Sequence, residues 1–220
     1  MPFQSAPMAP IDTAFGAVAT LVAGDGSAAH RHARRLAADP VPLRDLADAA
    51  HLLCMLHGRK PGTFELARAG GEGGLGDAWL EALAERFGAE RTYLVTLVAA
   101  AGPLPSTPGQ AQSEAAVIGQ RHALDMLGQS ARRGCALGAA LALALDWPAI
   151  RTVLDAAADR LGIAPPPLPI APLDETLAVA TAIADGSAAD RASRFGAQQL
   201  IAQHRALWDL LEARVGARPR

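Results

Sequence analysis

Gly134-Cys-Ala-Leu-Gly-Ala-Ala-Leu-Ala-Leu-Ala-Leu145 runs through more than three helical turns without one polar side chain. A helix with no polar stripe must be buried on every side, so this segment is expected to be the central helix of a layered all-α domain. The residues around it bound its length: Arg132 and Arg133 precede it, Asp146 ends it, and Trp147-Pro148 reads as the start of a following helix. About 20 apolar residues are needed to cross a bilayer, and this run is shorter, so no membrane span is expected. Ala131, Gly134, Gly138 and Ala142 recur at spacings of three or four. Such small residues let neighbouring helix backbones come close.

Composition agrees with a helical core. Of 220 residues, 50% are hydrophobic but only 4% aromatic, so the interior must be built mainly from Leu, Ala and Val. A β-sandwich would call for more β-branched and aromatic side chains. The formal net charge of −2 gives no field directed at nucleic acid or anionic lipid, and neither partner is expected. Cys54 and Cys135 lack the spacing of a metal knuckle or redox pair and read as reduced core thiols of a cytoplasmic protein. Ala14 to Gly24 is apolar but has no positive region before it, and is taken as the first helix rather than a secretion signal.

Apolar periodicity and cap residues predict helices over 12–23, 27–38, 42–57, 63–69, 77–87, 89–101, 111–145 with a break near Ser130, 147–161, 174–184 and 187–214. Two proline-rich straps, 102–109 and 163–173, are expected to cross a single all-α domain spanning 1–220. Pro165-Pro-Pro-Leu-Pro169 also has the form of a ligand for a proline-reading domain, although a strap is the simpler reading. Around Asp25-Gly26-Ser27 and again around Asp185-Gly186-Ser187 the chain repeats Ala-Val-Ala-Thr before the turn, so two helix–turn–helix hairpins with serine N-caps are expected.

The motifs that carry chemistry are few. Gly71-Glu-Gly-Gly-Leu-Gly76 matches the dinucleotide fingerprint literally, but no strand precedes it, and Glu72 and Asp77 would set negative charge beside a pyrophosphate. It reads as a glycine loop. No Gly-x-Ser-x-Gly, no phosphate loop and no Glu-x-x-His occurs. On a helical wheel of 42–57, Leu43, Leu46, Ala50, Leu53 and His57 share the apolar face, whereas Arg44, Asp48, His51 and Met55 fall opposite and are expected in solvent. His57 then either meets the helix C-terminus with its ring or serves a ligand. In the helix from Gln112, Glu114, Arg121, Asp125 and Arg132 form a polar stripe with His122 at its border. His204 borders the apolar face of the last helix beside Leu200, Ile201, Leu207 and Trp208, as an imidazole at a flat-ligand pocket would. His30-Arg-His-Ala-Arg-Arg35 spreads its charge around its helix and reads as solvated surface.

Two functions compete on this reading. The first is a cytoplasmic interaction or scaffold protein, with a homodimer as one form of it, since no motif demands chemistry. The second is a small-molecule- or metal-binding helical enzyme with His57, His122 and His204 lining an internal pocket. No cofactor is named by the residues, and spatial convergence of those histidines is what separates the two.

Overall fold

The structure is a computed structural model, and it describes residues 14–38, 40–71, 75–168, 176 and 187–218. All its regular elements are helical: α1 Ala14–Asp25, a 3₁₀ turn Ser27–Ala29, α2 Arg31–Ala37, α3 Leu43–His57, α4 Thr63–Ala69, α5 Leu75–Ala101, α6 Gln110–Gly128, α7 Cys135–Leu161 and α8 Ser187–Ala217. This is an all-α bundle. α7 lies at its centre, touching every other α-helix.

The apolar run forms the first part of α7, and residues 138–144 are buried without interruption. Asp146 does not end that helix. α7 continues for 27 residues through Pro148, which lies exposed inside the helix instead of opening a new one. A proline here removes the N–H that would have bonded the carbonyl of Ala144. The whole of α7 is therefore long and apolar enough to cross a bilayer, contrary to the shorter reading, but 72% of its most apolar window is covered by the protein's own helices.

Close approach of α7 and α8 explains the glycine spacing. A Cβ on Gly138 would sit 1.9 Å from the carbonyl oxygen of Ser193, and one on Gly196 would sit 1.9 Å from that of Cys135. Only glycine permits this crossing. Gly134, with φ of 91°, starts α7 from the left-handed region.

α3 is a second interior helix, and here the wheel argument fails on one side. Asp48 is fully buried rather than solvated, held by Nε and Nη2 of Arg214 at 3.0 Å each and by Arg218. Asp45 is buried beside it, 2.6 Å from Arg218 and 3.1 Å from Arg35. The face opposite the leucines is covered by the end of α8, whose arginines supply the missing charge. His51 is half-buried, its Nε2 donating to the Gly102 carbonyl at 2.9 Å. That bond and those from Arg214 to the Pro105 carbonyl and from Arg218 to Thr107 fasten the first strap.

The two segments predicted as 77–87 and 89–101 form one helix, α5, which passes through Gly88 without a break. The first Asp-Gly-Ser hairpin is present, although Ser27 does not cap with its side chain, and of the helix expected at 174–184 only buried Thr176 is among the described residues, the rest lying outside them with most of the second hairpin. In the basic run Arg31, Arg34 and Arg35 are exposed, as a solvated surface requires, with Arg31 meeting Glu212 at 2.8 Å, but His30, 3.1 Å from Asp209, and His32 are buried. Of the second strap, the described part 163–168 is held where Arg151 donates to the Pro166 carbonyl. Both cysteines are free; Cys135 is buried, and burial raises the thiol pKa of half-buried Cys54.

Candidate functional site

Five side chains from four parts of the chain meet where α3, α7 and α8 cross. His57 is the last residue of α3, Asp146 projects from the middle of α7, His204 and Trp208 stand one turn apart on α8, and Ser27 comes from the turn after α1. The Nε2 atoms of His57 and His204 are 3.0 Å apart. His204 Nδ1 lies 2.7 Å from Asp146 Oδ2. Asp146 also accepts the Ser27 N–H at 2.7 Å and the Ser27 hydroxyl at 2.6 Å, and that hydroxyl accepts the Trp208 indole N–H at 2.9 Å. All five residues are buried, His57 being the most exposed at 6%.

With His204 neutral, the donors and acceptors allow one proton arrangement. Burial alone would raise the Asp146 pKa, but the bonds from His204 and Ser27 prevail and hold it below the ordinary carboxylate value, so Asp146 is ionised. A carboxylate only accepts, so His204 carries its proton on Nδ1. In neutral His204 the other nitrogen, Nε2, is then an acceptor, and His57 must donate to it from Nε2–H. That leaves His57 Nδ1 as a base nitrogen. Burial above all, then the positive charge of His204 whenever it is protonated and that of Arg91 and Arg121, lowers the His57 pKa well below its ordinary value and keeps this ring neutral.

His57 also lines a small, partly open cleft of about 10 Å³, room for a water-sized group, between α3, the loop after it, α4, α5, α6 and α7. Its ring is packed edge-on against Trp147, at 5.5 Å between centroids, and against Phe87 at 6.4 Å. Trp147 is fixed in turn by its indole N–H, which donates to Glu90 at 2.8 Å, while Arg151 reaches the other Glu90 oxygen at 2.6 Å. An aromatic-poor chain thus gathers two of its three tryptophans around one histidine pair. Arg91, stacked on Phe87, is paired through both Nη atoms with Glu65 at 2.6 and 2.7 Å.

Of the histidines that the sequence marks, His57 and His204 come together and His122 does not; it is exposed on α6. Sequence reasoning misses Asp146 and Ser27. Asp146 has the local character of a helix terminus and Ser27 that of a cap, yet each has its side chain directed into the relay. The only signal for Asp146 is an acid directly after the long apolar run, in the middle of a helix rather than at its end, which becomes visible once 135–161 is read as one element. Among the described residues no group of three His, Cys, Asp or Glu side chains is arranged to hold a metal ion. The relay is instead linear, with both His204 nitrogens already engaged.

Residues 22–219 match a family of unknown function, DUF6975, which covers every residue of this relay. The chain belongs to DUF6975. No curated protein and no solved structure matches it. The chemistry of this DUF6975 chain therefore rests on its own atoms, and what they offer is a carboxylate–imidazole–imidazole series ending on a base nitrogen beside a cleft.

Proposed function

We propose that this chain is an enzyme that moves a proton to or from a small molecule at His57, with His204 and Asp146 as the supporting relay. The observation that carries the proposal is the 3.0 Å contact between two histidines, one anchored on a buried carboxylate and the other lining a cleft. In the forward sense the substrate gives a proton to His57 Nδ1. The His57 Nε2 proton crosses to His204 Nε2, and His204, now protonated on both nitrogens, remains bonded to ionised Asp146. Charge that would be costly on buried His57 is thereby placed next to a carboxylate. Donation runs the same path backwards. Ser27 and Trp208 hold Asp146 in position, and neither touches the cleft.

An interaction or scaffold role, the other expectation from the sequence, makes no use of a buried carboxylate joined to a cleft through two imidazoles. Two free cysteines support the reducing, cytoplasmic setting expected for such an enzyme.

Hydrogen exchange tests the proposal without knowledge of the substrate. Nitrogen-15 NMR on histidine-labelled protein reads the N–H between His57 and His204, with the Trp208 indole N–H as an internal reference. A working relay exchanges that proton through the cleft much faster than the Trp208 proton. Exchange of both at the rate of global unfolding would make the network purely structural.

A further inference from the structure

Three arginines face the cleft beside His57. Arg91 is neutralised by its two bonds to Glu65. Arg121 is paired more loosely: its Nε stands 3.9 Å from Asp125, an ion pair too long for a hydrogen bond, and its Nη1 is buried with no hydrogen-bond partner. Arg59 lies exposed at the cleft rim and pairs with no acid among the described residues. Thr63, 94% buried, lines the same cleft.

A buried guanidinium N–H without an acceptor is disfavoured by the full cost of desolvating that group, so it calls for a partner. The one acid that lines the cleft, Asp125, forms an ion pair with Arg121 but stands beyond hydrogen-bond range. What fits is a planar or tetrahedral oxyanion, which accepts paired N–H groups from one guanidinium. Arg121 also lies close enough to His57 to act on its charge. An anion on Arg121 therefore sets the rest of its molecule next to the histidine.

We propose that the cleft binds the oxyanion of a small molecule, a carboxylate or a phosphate, through Arg121, with Thr63 and Arg59 on the same wall. Anion binding itself stands on the cleft alone; that the bound molecule is a substrate rests on the acid–base reading of His57. The two readings fail separately, because the proton-exchange measurement needs no anion and the binding measurement needs no reaction.

Isothermal titration of the whole chain with acetate and with inorganic phosphate is the test. Saturable binding of at least one probe is expected, weakened about tenfold or more in Arg121→Met, as the loss of one charge-assisted contact implies. Arg121→Lys, which keeps the charge but loses the fork, should bind at intermediate strength and guards against a Met variant that fails to fold. Arg44→Met, changing an exposed arginine on α3, should bind like the wild type. Absence of saturable binding to the wild type would overturn the proposal, as would equal weakening by Arg44→Met. The preferred probe identifies the anion class.

Discussion

Replacing Asp146 by Asn changes one atom and should reverse the whole relay. The carboxylate accepts three hydrogen bonds, at 2.7 Å from the Ser27 N–H, 2.6 Å from the Ser27 hydroxyl and 2.7 Å from His204 Nδ1. An amide keeps one acceptor, best left on the Ser27 N–H, and turns its NH₂ toward His204. His204 must then accept on Nδ1 and move its proton to Nε2, which forces His57 to accept on Nε2 and carry its own proton on Nδ1. The base nitrogen of the cleft disappears. Three bonds to a charged acceptor, each worth about 1.5–3 kcal/mol, become neutral bonds of about 1 kcal/mol, a loss of about 1.5–6 kcal/mol that the easier burial of an amide offsets in part, so stability should fall by about 2–4 kcal/mol. Asp146→Ala, which leaves the donors without any acceptor, should cost more, about 3–5 kcal/mol. Urea denaturation gives both magnitudes, and histidine nitrogen-15 shifts give the tautomers directly. An Asn variant that keeps the wild-type tautomers, or is as unstable as the Ala variant, would refute this proton arrangement.

Gly138→Ala should destabilise by about 1–3 kcal/mol or more, read from denaturant midpoints, because its Cβ would meet the Ser193 backbone at 1.9 Å. Asp48→Ala should cost about 3–5 kcal/mol, since it strands Arg214 and Arg218 in the interior, whereas His51→Ala should cost about 1 kcal/mol for one part-buried bond; equal small effects would show that α3 presents Asp48 to solvent. Stability should also fall as pH drops below about 6.5, where the unfolded chain takes up a proton that buried, neutral His57 refuses in the folded state. The slope per such group is at most about 1.4 kcal/mol per pH unit, and His32, whose pKa burial also lowers, acts in the same direction. His57→Gln should make the measured slope between pH 7 and 5.5 shallower, and an unchanged slope would mean that His57 is not held neutral.

The architecture is legible because it is written in one local signal. A dozen residues with no polar side chain admit only a buried helix, and Gly138 within them already implies a close helix crossing, which α8 makes. The ends of that helix are harder to read. Asp146 and Pro148 carry the local chemistry of a boundary, but the helix passes through both because tertiary contacts outweigh the proline: Asp146 finds Ser27 and His204, and Trp147 finds Glu90. The same tertiary override hides Asp48, whose wheel position is polar only until Arg214 closes over it. His57 and His204 are marked by an imidazole on an apolar face, and that pattern says nothing about which histidines meet. Their separation of 147 positions is a property of the packing.

Two of the buried polar networks among the described residues differ in a way that gives one of them a chemical reading. Around Asp45 and Asp48 every carboxylate oxygen faces a guanidinium, from Arg35, Arg214 or Arg218. That network is closed on itself, and moving a proton within it would separate charge with nothing gained, because arginine does not give up its proton. It fastens the end of α8 to α3. Around Asp146 the partners are neutral donors and an imidazole, so the carboxylate's charge is matched by no fixed cation. Desolvating such an ion costs several kcal/mol, and its three hydrogen bonds offset that cost without a clear surplus over an apolar side chain of the same size. The arrangement becomes favourable in a different state, when His204 is protonated and Asp146 gains a counter-ion at 2.7 Å. The route by which that proton arrives is the one nitrogen that the network leaves without a partner among the described residues, on His57 at the wall of the cleft.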